Sequence, residues 1–453
     1  MMRAEQKYTA GLAHLEARRL SSAENCFRTV VASNPSFALG YFHLGLTLRL
    51  RLQWQAALRA FQSAVKCAPD MARAHVGMGA VLERLGRADD AEAELRRALA
   101  LDPALRDSYL FLGELLRRRG RLSEAHAIYA AWLARYPNDA DGRFGRGFLR
   151  LLEGDLTEGW PDYEFRAARR GPNDPALAPQ WRGEDPANKT LLLYGEQGIG
   201  DSIQFLRYVP SLAKMGARVL LAVPVGLQKV ASTVGGVHEI VPPSDTPPSF
   251  DFCAPLPSLP LYRRTTLASV PWSGAYLSPP QSGGPAIGLP PPSGEKLTVA
   301  LGWAGNPDHP DDYNRSLTAA QIRPLLKHEH IRWLILQKGG GALELDRKPQ
   351  IVQLGGRLAN FTDIAQVMCR SDLVISVDTS FCHLAGALGL PVWTMLSFAP
   401  DWRWMLGRCD TPWYPSMRLF RQPSPGDWSS VIDAVSQALA TEIRLRPSAS
   451  AVR

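Results

Sequence analysis

Prolines recur every 34 residues through the first third of the chain. They are Pro35, Pro69, Pro103 and Pro137. Three further series keep the same period: Gly11, Gly45, Gly79, Gly113 and Gly147; Ala23, Ala57, Ala91 and Ala125; and Phe27, Phe61, Leu95 and Tyr129. A 34-residue period is typical of a helix–turn–helix unit with small residues where helices touch and proline ending the second helix. One such unit cannot bury its apolar face alone, so stacked copies must share a core.

The series resemble tetratricopeptide repeats, in which each copy reads small residue, alanine, aromatic or leucine, then proline. Residues 142–170 look like a last, degenerate copy, where Gly147 keeps the period but Gly159 replaces the expected alanine. Terminal copies are often atypical because they cap the stack. The alternative is an ordinary helical bundle, but several residue classes in register favour repeats. We expect an α-helical superhelix over residues 1–170 whose concave face holds a protein partner, with any chemistry elsewhere.

Composition indicates a soluble globular protein. The chain has 453 residues, enough for roughly three domains, of which 45% are hydrophobic and 21% charged. The N-terminus is too charged for a secretory signal, and no apolar run reaches the ~20 residues of a membrane span. The six cysteines show no metal-like spacing, which favours a reducing compartment. We therefore expect a cytoplasmic protein without a membrane span.

The formal net charge is +8, and the densest basic run is Arg117, Arg118, Arg119 and Arg121. Such a run can attract an acidic partner or nucleic acid. Here acids are mixed with the arginines and no aromatic residues are interleaved, so a solvated turn between helices is favoured. We expect no nucleic-acid partner.

After the repeats the pattern changes from helices to strands alternating with helices, which predicts parallel sheets covered by helices. Stretches rich in proline, glycine and polar residues divide this region. The predicted segments are a linker at 171–189, a first half at 190–277, a Pro/Gly linker at 278–295, a second half at 296–443 and a tail at 444–453.

The predicted strands are short apolar runs. They are Thr190–Tyr194, Ala217–Pro224, Leu297–Trp303, Ile331–Gln337, Asp372–Val377 and Pro391–Leu396. The predicted helices are Ser202–Met215, Thr318–Lys327, Phe361–Cys369, His383–Leu388 and Trp428–Thr441. Two such halves place a ligand cleft at the carboxyl ends of the strands.

The first candidate site is a glycine-rich turn after the strand at 190–194. It contains Gly195, Gly198, Gly200 and Asp201. The spacing matches neither the dinucleotide fingerprint nor a P-loop. The turn allows close backbone approach and presents an acidic residue at a helix start. A purely structural turn with Asp201 as N-cap is equally compatible with the sequence.

The second candidate follows the strand at 372–377 and contains Asp378, Thr379, Ser380 and His383. A helix N-terminus binds phosphate through its free N–H groups, and the hydroxyls can add donors. His383 alone is either a phosphate donor or a half-buried helix residue. Two more strand ends contribute polar groups: Asn306 and Arg315 after one strand, Gln337 and Lys338 after another. A lysine and an arginine in one cleft suit a diphosphate.

The glycine turn ending in Asp201, and the later segment from Asp378 through His383 to Pro391, resemble the heptosyltransferase-type glycosyltransferases of family 9 and, more widely, the GT-B fold. The closing run Asp401–Trp404 resembles bacterial proteins that fuse tetratricopeptide repeats to such a module. Protein O-GlcNAc transferases and flagellin glycosyltransferases have a similar architecture. The resemblance implies a GT-B-type pair of Rossmann-like α/β domains after the helical superhelix.

The resemblance also implies roles. In family 9 the aspartate of the glycine turn is the proposed general base, here Asp201. The Asp-Thr turn and its histidine bind the donor, here Asp378, Thr379, Ser380 and His383. A cation of the C-terminal half neutralises the leaving nucleotide, which suggests Lys338 and Arg315, and GT-B enzymes need no metal or other cofactor.

One departure concerns the glycine turn. Glu196 and Gln197 fill a position that is usually smaller and more neutral in heptosyltransferases, which argues against an ADP-heptose donor.

The sequence therefore predicts a metal-independent, inverting glycosyltransferase that moves a sugar from a nucleotide-sugar to a hydroxyl of a protein held by the repeats. Two alternatives stay open. One is a non-catalytic adaptor with a silent GT-B module. The other is a transferase acting on a glycan or lipopolysaccharide. A dehydrogenase is disfavoured because the glycine-rich turns lack the nicotinamide fingerprint. The sugar, hexose, heptose or nonulosonic acid, is not specified.

Overall fold

The computed structural model describes residues 2–169, 179–242, 248–272, 274–280, 296–343, 345 and 348–445. It contains two compact units, Met1–Leu149 with Phe165–Arg169, and Arg150–Glu164 with Arg170–Arg453. Residues 171–178 and 281–295 of the predicted linkers, and 446–453 of the predicted tail, lie outside the described residues. No helix of the described chain is long and apolar enough to cross a membrane.

The first unit consists of antiparallel helical hairpins. Its helices are α1 (Met2–Glu16), α2 (Leu20–Ser33), α3 (Ala38–Leu50), α4 (Trp54–Cys67), α5 (Ala72–Arg84), α6 (Ala88–Leu101), α7 (Arg106–Arg118), α8 (Leu122–Arg135) and α9 (Ala140–Glu153), whose last residues belong to the second unit. The predicted helical superhelix is therefore confirmed.

Four of the five periodic glycines face a large side chain of the series Phe27, Phe61, Leu95 and Tyr129. The Phe61 ring lies between Gly45 of its own hairpin and Gly77 of the next, and a Cβ at either position would come within 2.7 or 2.5 Å of the ring. Gly113 stands in the same relation to Tyr129, with a Cβ 2.7 Å from the ring. Each large side chain is wholly buried. Glycine at these positions thus makes room for the ring that joins successive hairpins.

A further 34-residue series appears only in the backbone. The turn between the two helices of each hairpin contains a residue with φ between 54° and 90°, and these residues are Arg18, Leu52, Gly86, Gly120 and Gly154. This left-handed conformation ends the first helix of a hairpin and favours glycine. The first two copies hold side chains there, which costs roughly 1–2 kcal/mol per residue in this region of φ.

Exchanging residues at this turn position is expected to change stability with opposite signs in neighbouring hairpins. Gly86→Ala adds a Cβ that would meet nothing within 4 Å, so only backbone strain is introduced, and we expect a loss of about 1 kcal/mol. Leu52→Gly removes that strain from a side chain that is 66% exposed. We expect the free energy of unfolding to rise by about 0.5 kcal/mol, because the larger unfolded-state entropy of glycine offsets part of the relieved strain. Urea unfolding followed by helical circular dichroism measures the stability of both variants. A change in the same direction for Gly86→Ala and Leu52→Gly would contradict the strain argument.

The arginine run at the end of α7 and in the turn before α8 is paired with acids. Arg117 binds Glu114 over 2.8 Å, and Arg118 binds Glu83 over 2.7 Å. The other two reach acids of α6 and α8; Arg119 pairs with Asp89 and Glu92, and Arg121 with Glu92 and Glu124. These contacts give the run a structural role in joining successive hairpins.

The second unit contains two parallel sheets. The strands are β1 (Thr190–Tyr194), β2 (Arg218–Ala222), β3 (Val237–Ile240), β4 (Phe252–Pro255), β5 (Leu297–Gly302), β6 (Ile331–Ile335), β7 (Ile351–Gln353), β8 (Leu373–Val377), β9 (Val392–Leu396) and β10 (Met417–Arg421). The sheets run β3-β2-β1-β4 and β10-β9-β8-β5-β6-β7. The second is the order 3-2-1-4-5-6 of dinucleotide-binding sheets, and the first has its 3-2-1-4 part.

The helices of this unit are short, except for the last. They are α10 (Leu156–Tyr163), α11 (Ile199–Phe205), α12 (Val209–Lys214), α13 (Gln228–Ala231), α14 (Leu259–Tyr262), α15 (Asp312–Arg315), α16 (Ala319–Ile322), α17 (Gly340–Leu343), α18 (Phe361–Met368), α19 (Ser380–Ala387) and α20 (Trp428–Leu445). The single helix predicted over Ser202–Met215 is divided into α11 and α12. Pro210 has no N–H for the hydrogen-bond ladder, and it lies in the first turn of α12, where none is needed.

Helix α10, which the sequence assigns to the last repeat, packs within the second unit. The Trp160 indole N–H donates to the Thr265 carbonyl oxygen over 2.9 Å, and the Tyr163 hydroxyl donates to Gln197 over 3.0 Å. Trp160 also contacts Trp402 edge to face, with ring centroids 5.2 Å apart. The end of the repeat pattern thus supports the glycine turn that follows β1.

Candidate functional site

Each sheet has one point where the strand order reverses. It lies between β1 and β4 in the four-stranded sheet, and between β5 and β8 in the six-stranded sheet. Ligands of open parallel sheets bind outside the carboxyl ends of the strands at such a point. The glycine turn follows β1, and Asp378 follows β8. The two strongest sequence candidates therefore stand at the two reversal points.

The glycine turn is closed by Asp201. Helix α11 begins after Gly198, and the Gly198 N–H donates to Asp201 Oδ2 over 2.8 Å. Asp201 is thus the third residue of the helix, and the interpretation of Asp201 as N-cap is wrong. The glycines have packing reasons: a Cβ on Gly195 would lie 2.7 Å from the Ser202 hydroxyl, and one on Gly200 would lie 2.8 Å from the His383 ring. Helices α11 and α19 consequently touch.

Arg403 joins these segments from the loop after β9. It is 7% exposed, and its guanidinium forms an ion pair with Asp201 Oδ1. It also donates to Asp401 Oδ1 over 2.7 Å and to the side-chain oxygen of Gln204 on α11. Burial opposes the positive charge, but Asp201 and Asp401 hold the pKa of Arg403 above its ordinary value. Both carboxylate oxygens of Asp201 are therefore engaged.

The segment after β8 starts a helix in the expected way. Thr379 is the N-cap of α19, and its hydroxyl oxygen accepts the Phe381 N–H over 3.3 Å. Arg315 donates to the Asp378 carbonyl oxygen over 3.0 Å and pairs with Asp312 over 3.4 Å. Ser380 is the first helical residue. The predicted group Arg315, Asp378, Thr379 and Ser380 is thus brought together at one reversal point.

The Asp378 carboxyl is half-buried at this point. Burial and the neighbouring Asp401 carboxylate raise its pKa to about 6, against the opposing effects of Trp404, Arg315 and Arg403. Within the described part of the chain, no lysine or arginine reaches ion-pair distance of this carboxylate. Asp378 is a carboxylate whose charge is not neutralised by a direct partner.

His383 is a neutral, buried side chain. It is 4% exposed, its Nδ1 is 2.9 Å from the Tyr414 hydroxyl, and its ring lies 5.3 Å from that of Trp404. Burial, followed by the charge of Arg403, lowers its pKa well below the ordinary value. The imidazole thus packs between α11 and the loop after β9, and it offers no positive charge to a phosphate.

Asp378, Cys382 and His383 bring one ligand atom each within 4.8 Å of one another. A cysteine that binds a metal ion does so as the thiolate. The Cys382 thiol lies 2.9 Å from the Thr379 carbonyl oxygen and donates to it, and burial raises the pKa of the thiol far above its usual range. In the structure, Cys382 and His383 thus each contact a protein group, the Thr379 carbonyl oxygen and the Tyr414 hydroxyl.

Of the remaining predicted residues, Gln337 has a structural role, whereas Asn306 and Lys338 are exposed to solvent. Gln337 is buried, and its side-chain oxygen accepts the Trp303 and Ala304 N–H groups over 3.2 and 3.0 Å, so it fixes the loop after β5. Asn306 lies exposed on that loop, and its side-chain oxygen accepts the N–H two residues on. Lys338 is exposed at the carboxyl end of β6.

Sequence reasoning missed Arg403 and Arg207 as determinants of the site. Arg207, 3% exposed, donates to the Trp413 carbonyl oxygen over 2.7 Å and to the Tyr276 hydroxyl over 3.4 Å. Its guanidinium also lies 4.7 Å from the centre of the Tyr414 ring. Like Arg403, it links a helix after β1 to the loops after β9. An arginine between tryptophans, as at Arg403, is a weak sequence signal of such a role.

Removing the Arg403 cation is expected to destabilise the second unit strongly. Arg403→Met leaves Asp201 and Asp401 without their shared partner, and breaking one side of a buried pair costs about 3 kcal/mol. Asp201→Asn should cost less, because Asp401 still pairs with the arginine. The measurement is urea unfolding followed by tryptophan fluorescence.

The control is Arg408→Met on the same loop, where the exposed pair with Asp410 contributes at most about 1 kcal/mol. A similar loss for Arg403→Met and Arg408→Met would show that the Arg403 pair does not stabilise the unit.

Comparison with known proteins assigns the repeats. Residues 8–53 and 51–106 match one family model described as tetratricopeptide repeat, and residues 85–143 match another. The first unit is therefore an array of tetratricopeptide repeats. Solved repeat proteins are similar to it: one from Parabacteroides merdae is 16% identical, covers 37% of this chain and 67% of its own, and has a TM-score of 0.33. One from Thermus thermophilus is 20% identical, covers 38% and 93%, and has a TM-score of 0.34.

A curated relative extends beyond the repeats. Protein FlbA from Caulobacter vibrioides is 27% identical over 344 residues, which cover 66% of this chain and 54% of FlbA. Residues 1–169 make up well under half of the chain. A similarity that covers 66% of the chain therefore includes part of the α/β unit. The chain spans about half the length of this relative.

Proposed function

We propose that this protein is a glycosyltransferase that moves a sugar from a nucleotide-sugar to a hydroxyl group of a protein acceptor. The observation that carries the proposal is the six-stranded sheet of order 3-2-1-4-5-6, with Asp378, Thr379 and the start of α19 at its reversal point. Sheets of this order bind nucleotides at that point. The second parallel sheet supports a GT-B-type pair, in which donor and acceptor are held by different halves.

The donor is assigned to the six-stranded half. The α19 N-terminus offers backbone N–H groups to a phosphate, and the exposed Lys338 at the end of β6 offers a cation. Arg315 lies beside Asp378, where it can contribute to the same charge balance. This set of groups suits a nucleotide leaving group without a metal ion, because positive charge and helix dipole are both provided by the protein.

The acceptor is assigned to the repeats. Stacked tetratricopeptide hairpins present an extended concave surface, which suits capture of a protein or peptide. In this proposal the first unit recruits the acceptor and the second unit transfers the sugar. The six cysteines form no disulfide within the described residues, which supports a reducing compartment such as the cytoplasm.

A non-catalytic adaptor is the second candidate, and one observation favours it. Asp201, the general base implied by the resemblance to family 9, accepts from Gly198 with one oxygen and pairs with buried Arg403 through the other. An aspartate held in this way is suited to joining segments. If the second unit does not transfer a sugar, the function of the protein would depend on the partner that the repeats bind.

Nucleotide binding is the first test of the transferase. Thermal unfolding is measured with UDP, GDP, ADP and CMP, and one of them at ~100 times its dissociation constant should stabilise the second unit by about 2.7 kcal/mol. Lys338→Ala should reduce this shift. Its matched control is Lys327→Ala, an exposed lysine that precedes β6 and so lies at the other end of the strand. No shift with any nucleotide would favour the adaptor.

A further inference from the structure

The two aspartates at the reversal points differ in the partners that their carboxylates have. Asp201 accepts hydrogen bonds with both oxygens, one of them from the guanidinium of Arg403. The ion pair with Asp201 compensates the charge of an arginine that is 7% exposed. Removing one partner from a buried pair is unfavourable by several kcal/mol. Both carboxylate oxygens of Asp201 are thus committed to holding the glycine turn and Arg403 in place.

Asp378 has the opposite surroundings. Its carboxylate is half-buried beside Asp401, and within the described chain it has no direct cationic partner. A proton on Asp378 would relieve the repulsion between two neighbouring carboxylates. Asp401, in contrast, is bound directly by Arg403 over 2.7 Å. Asp378 can thus accept a proton without breaking any ion pair.

The position of Asp378 also favours this role. It follows the central strand β8 at the reversal point of the nucleotide-binding type of sheet, and Arg315 holds its main-chain carbonyl over 3.0 Å. The main chain is fixed from two sides, since Thr379 caps α19 directly after it. The carboxyl is thereby presented on rigid elements, which a proton acceptor requires.

We propose that Asp378 takes the proton of the acceptor hydroxyl during sugar transfer, and that Asp201 is a positioning residue that acts through Arg403. The inference rests on the glycosyltransferase function proposed above. It assigns the catalytic proton transfer to the six-stranded half of the α/β unit and gives the glycine turn a supporting role.

The step balances without an additional reactant. The acceptor oxygen forms a bond to the anomeric carbon while the bond from that carbon to the nucleotide phosphate oxygen breaks. The electron pair of the broken bond leaves with the phosphate, and the hydroxyl proton moves to the Asp378 carboxylate. The proton is then released to water. One carboxylate therefore suffices for an inverting displacement.

The groups that face Asp378 set its pH dependence. They are Asp401, Arg403 and Trp404 from the loop after β9, Arg315 from α15, and Cys382 and His383 from α19. Cys382 stays protonated and His383 neutral across the physiological range, because burial shifts the pKa of each in that direction. A carboxyl with a pKa of about 6 is charged above pH 6, so the turnover rate should fall below pH 6 and level off above pH 7.

The experiment measures nucleotide release with water as acceptor from UDP-N-acetylglucosamine, GDP-mannose, ADP-glucose and CMP-N-acetylneuraminate, between pH 5 and pH 8.5. The variants are Asp378→Asn, Asp378→Glu and Asp201→Asn. Asp433→Asn on the exposed side of α20 is the matched control. Asp378→Asn should lower kcat at least 100-fold with little change in KM, and its residual rate should no longer depend on pH around 6. Asp378→Glu should recover part of the rate, and Asp201→Asn should lower kcat less than 10-fold.

Two results overturn the inference in distinguishable ways. If the wild-type protein releases a nucleotide and Asp378→Asn does so at a similar rate, or Asp201→Asn loses as much kcat as Asp378→Asn, the assignment of the proton acceptor is wrong while the transferase stands. If the wild-type protein neither binds a nucleotide nor releases one from any donor, the transferase itself is rejected and the inference with it. Thermal unfolding of each variant checks that the lost rate is not lost folding.

Discussion

A guanidinium removed from water must have anionic or strongly polar partners, and this constraint organises the α/β unit around Arg403. Its partners come from two places in the chain, Asp201 and Gln204 after β1, and Asp401 beside it. The helix that starts at the glycine turn is thereby fixed to the loop after β9. Arg207 repeats this connection with backbone carbonyls and aromatic rings. The candidate site is thus an arrangement of buried cations as much as of carboxylates.

Much of the fold follows from local pattern. The strands that the sequence predicts are continuous apolar runs, because parallel strands are covered on both faces. The sequence missed four of the described strands for different reasons. Strand β3 (Val237–Ile240) is half polar and β10 (Met417–Arg421) contains two arginines, whereas β4 (Phe252–Pro255) and β7 (Ile351–Gln353) are very short. Their place in a sheet depends on neighbours far along the chain. The division between α11 and α12 agrees with the position of Pro210, whose missing N–H is tolerated in the first turn of a helix but not in its interior.

The site was only partly readable. Asp201 and Asp378 stand directly after predicted strands, and the rule that parallel strands end at one edge identifies them as candidates. Whether a carboxylate is free or paired is not local information. The partner of Asp201 lies 202 residues away, and the indole rings around Arg403 are buried core, as Trp402 and Trp404 show. A sequence pattern gives the chemical type of a residue, whereas the low-dielectric surroundings that decide its protonation come from tertiary packing.

The recurring left-handed turn has a consequence for the dynamics of the repeat array. In a linear stack each hairpin contacts only its neighbours, so local opening begins where a repeat is intrinsically weakest. The strained turns at Arg18 and Leu52 belong to the first two hairpins, while the later turns have glycine. The stability of the repeats therefore increases along the array. Amide hydrogens of α1–α4 should exchange with solvent sooner than those of α5–α8. A partner that covers the first hairpins would slow this exchange, so recruitment and ordering of that end are coupled.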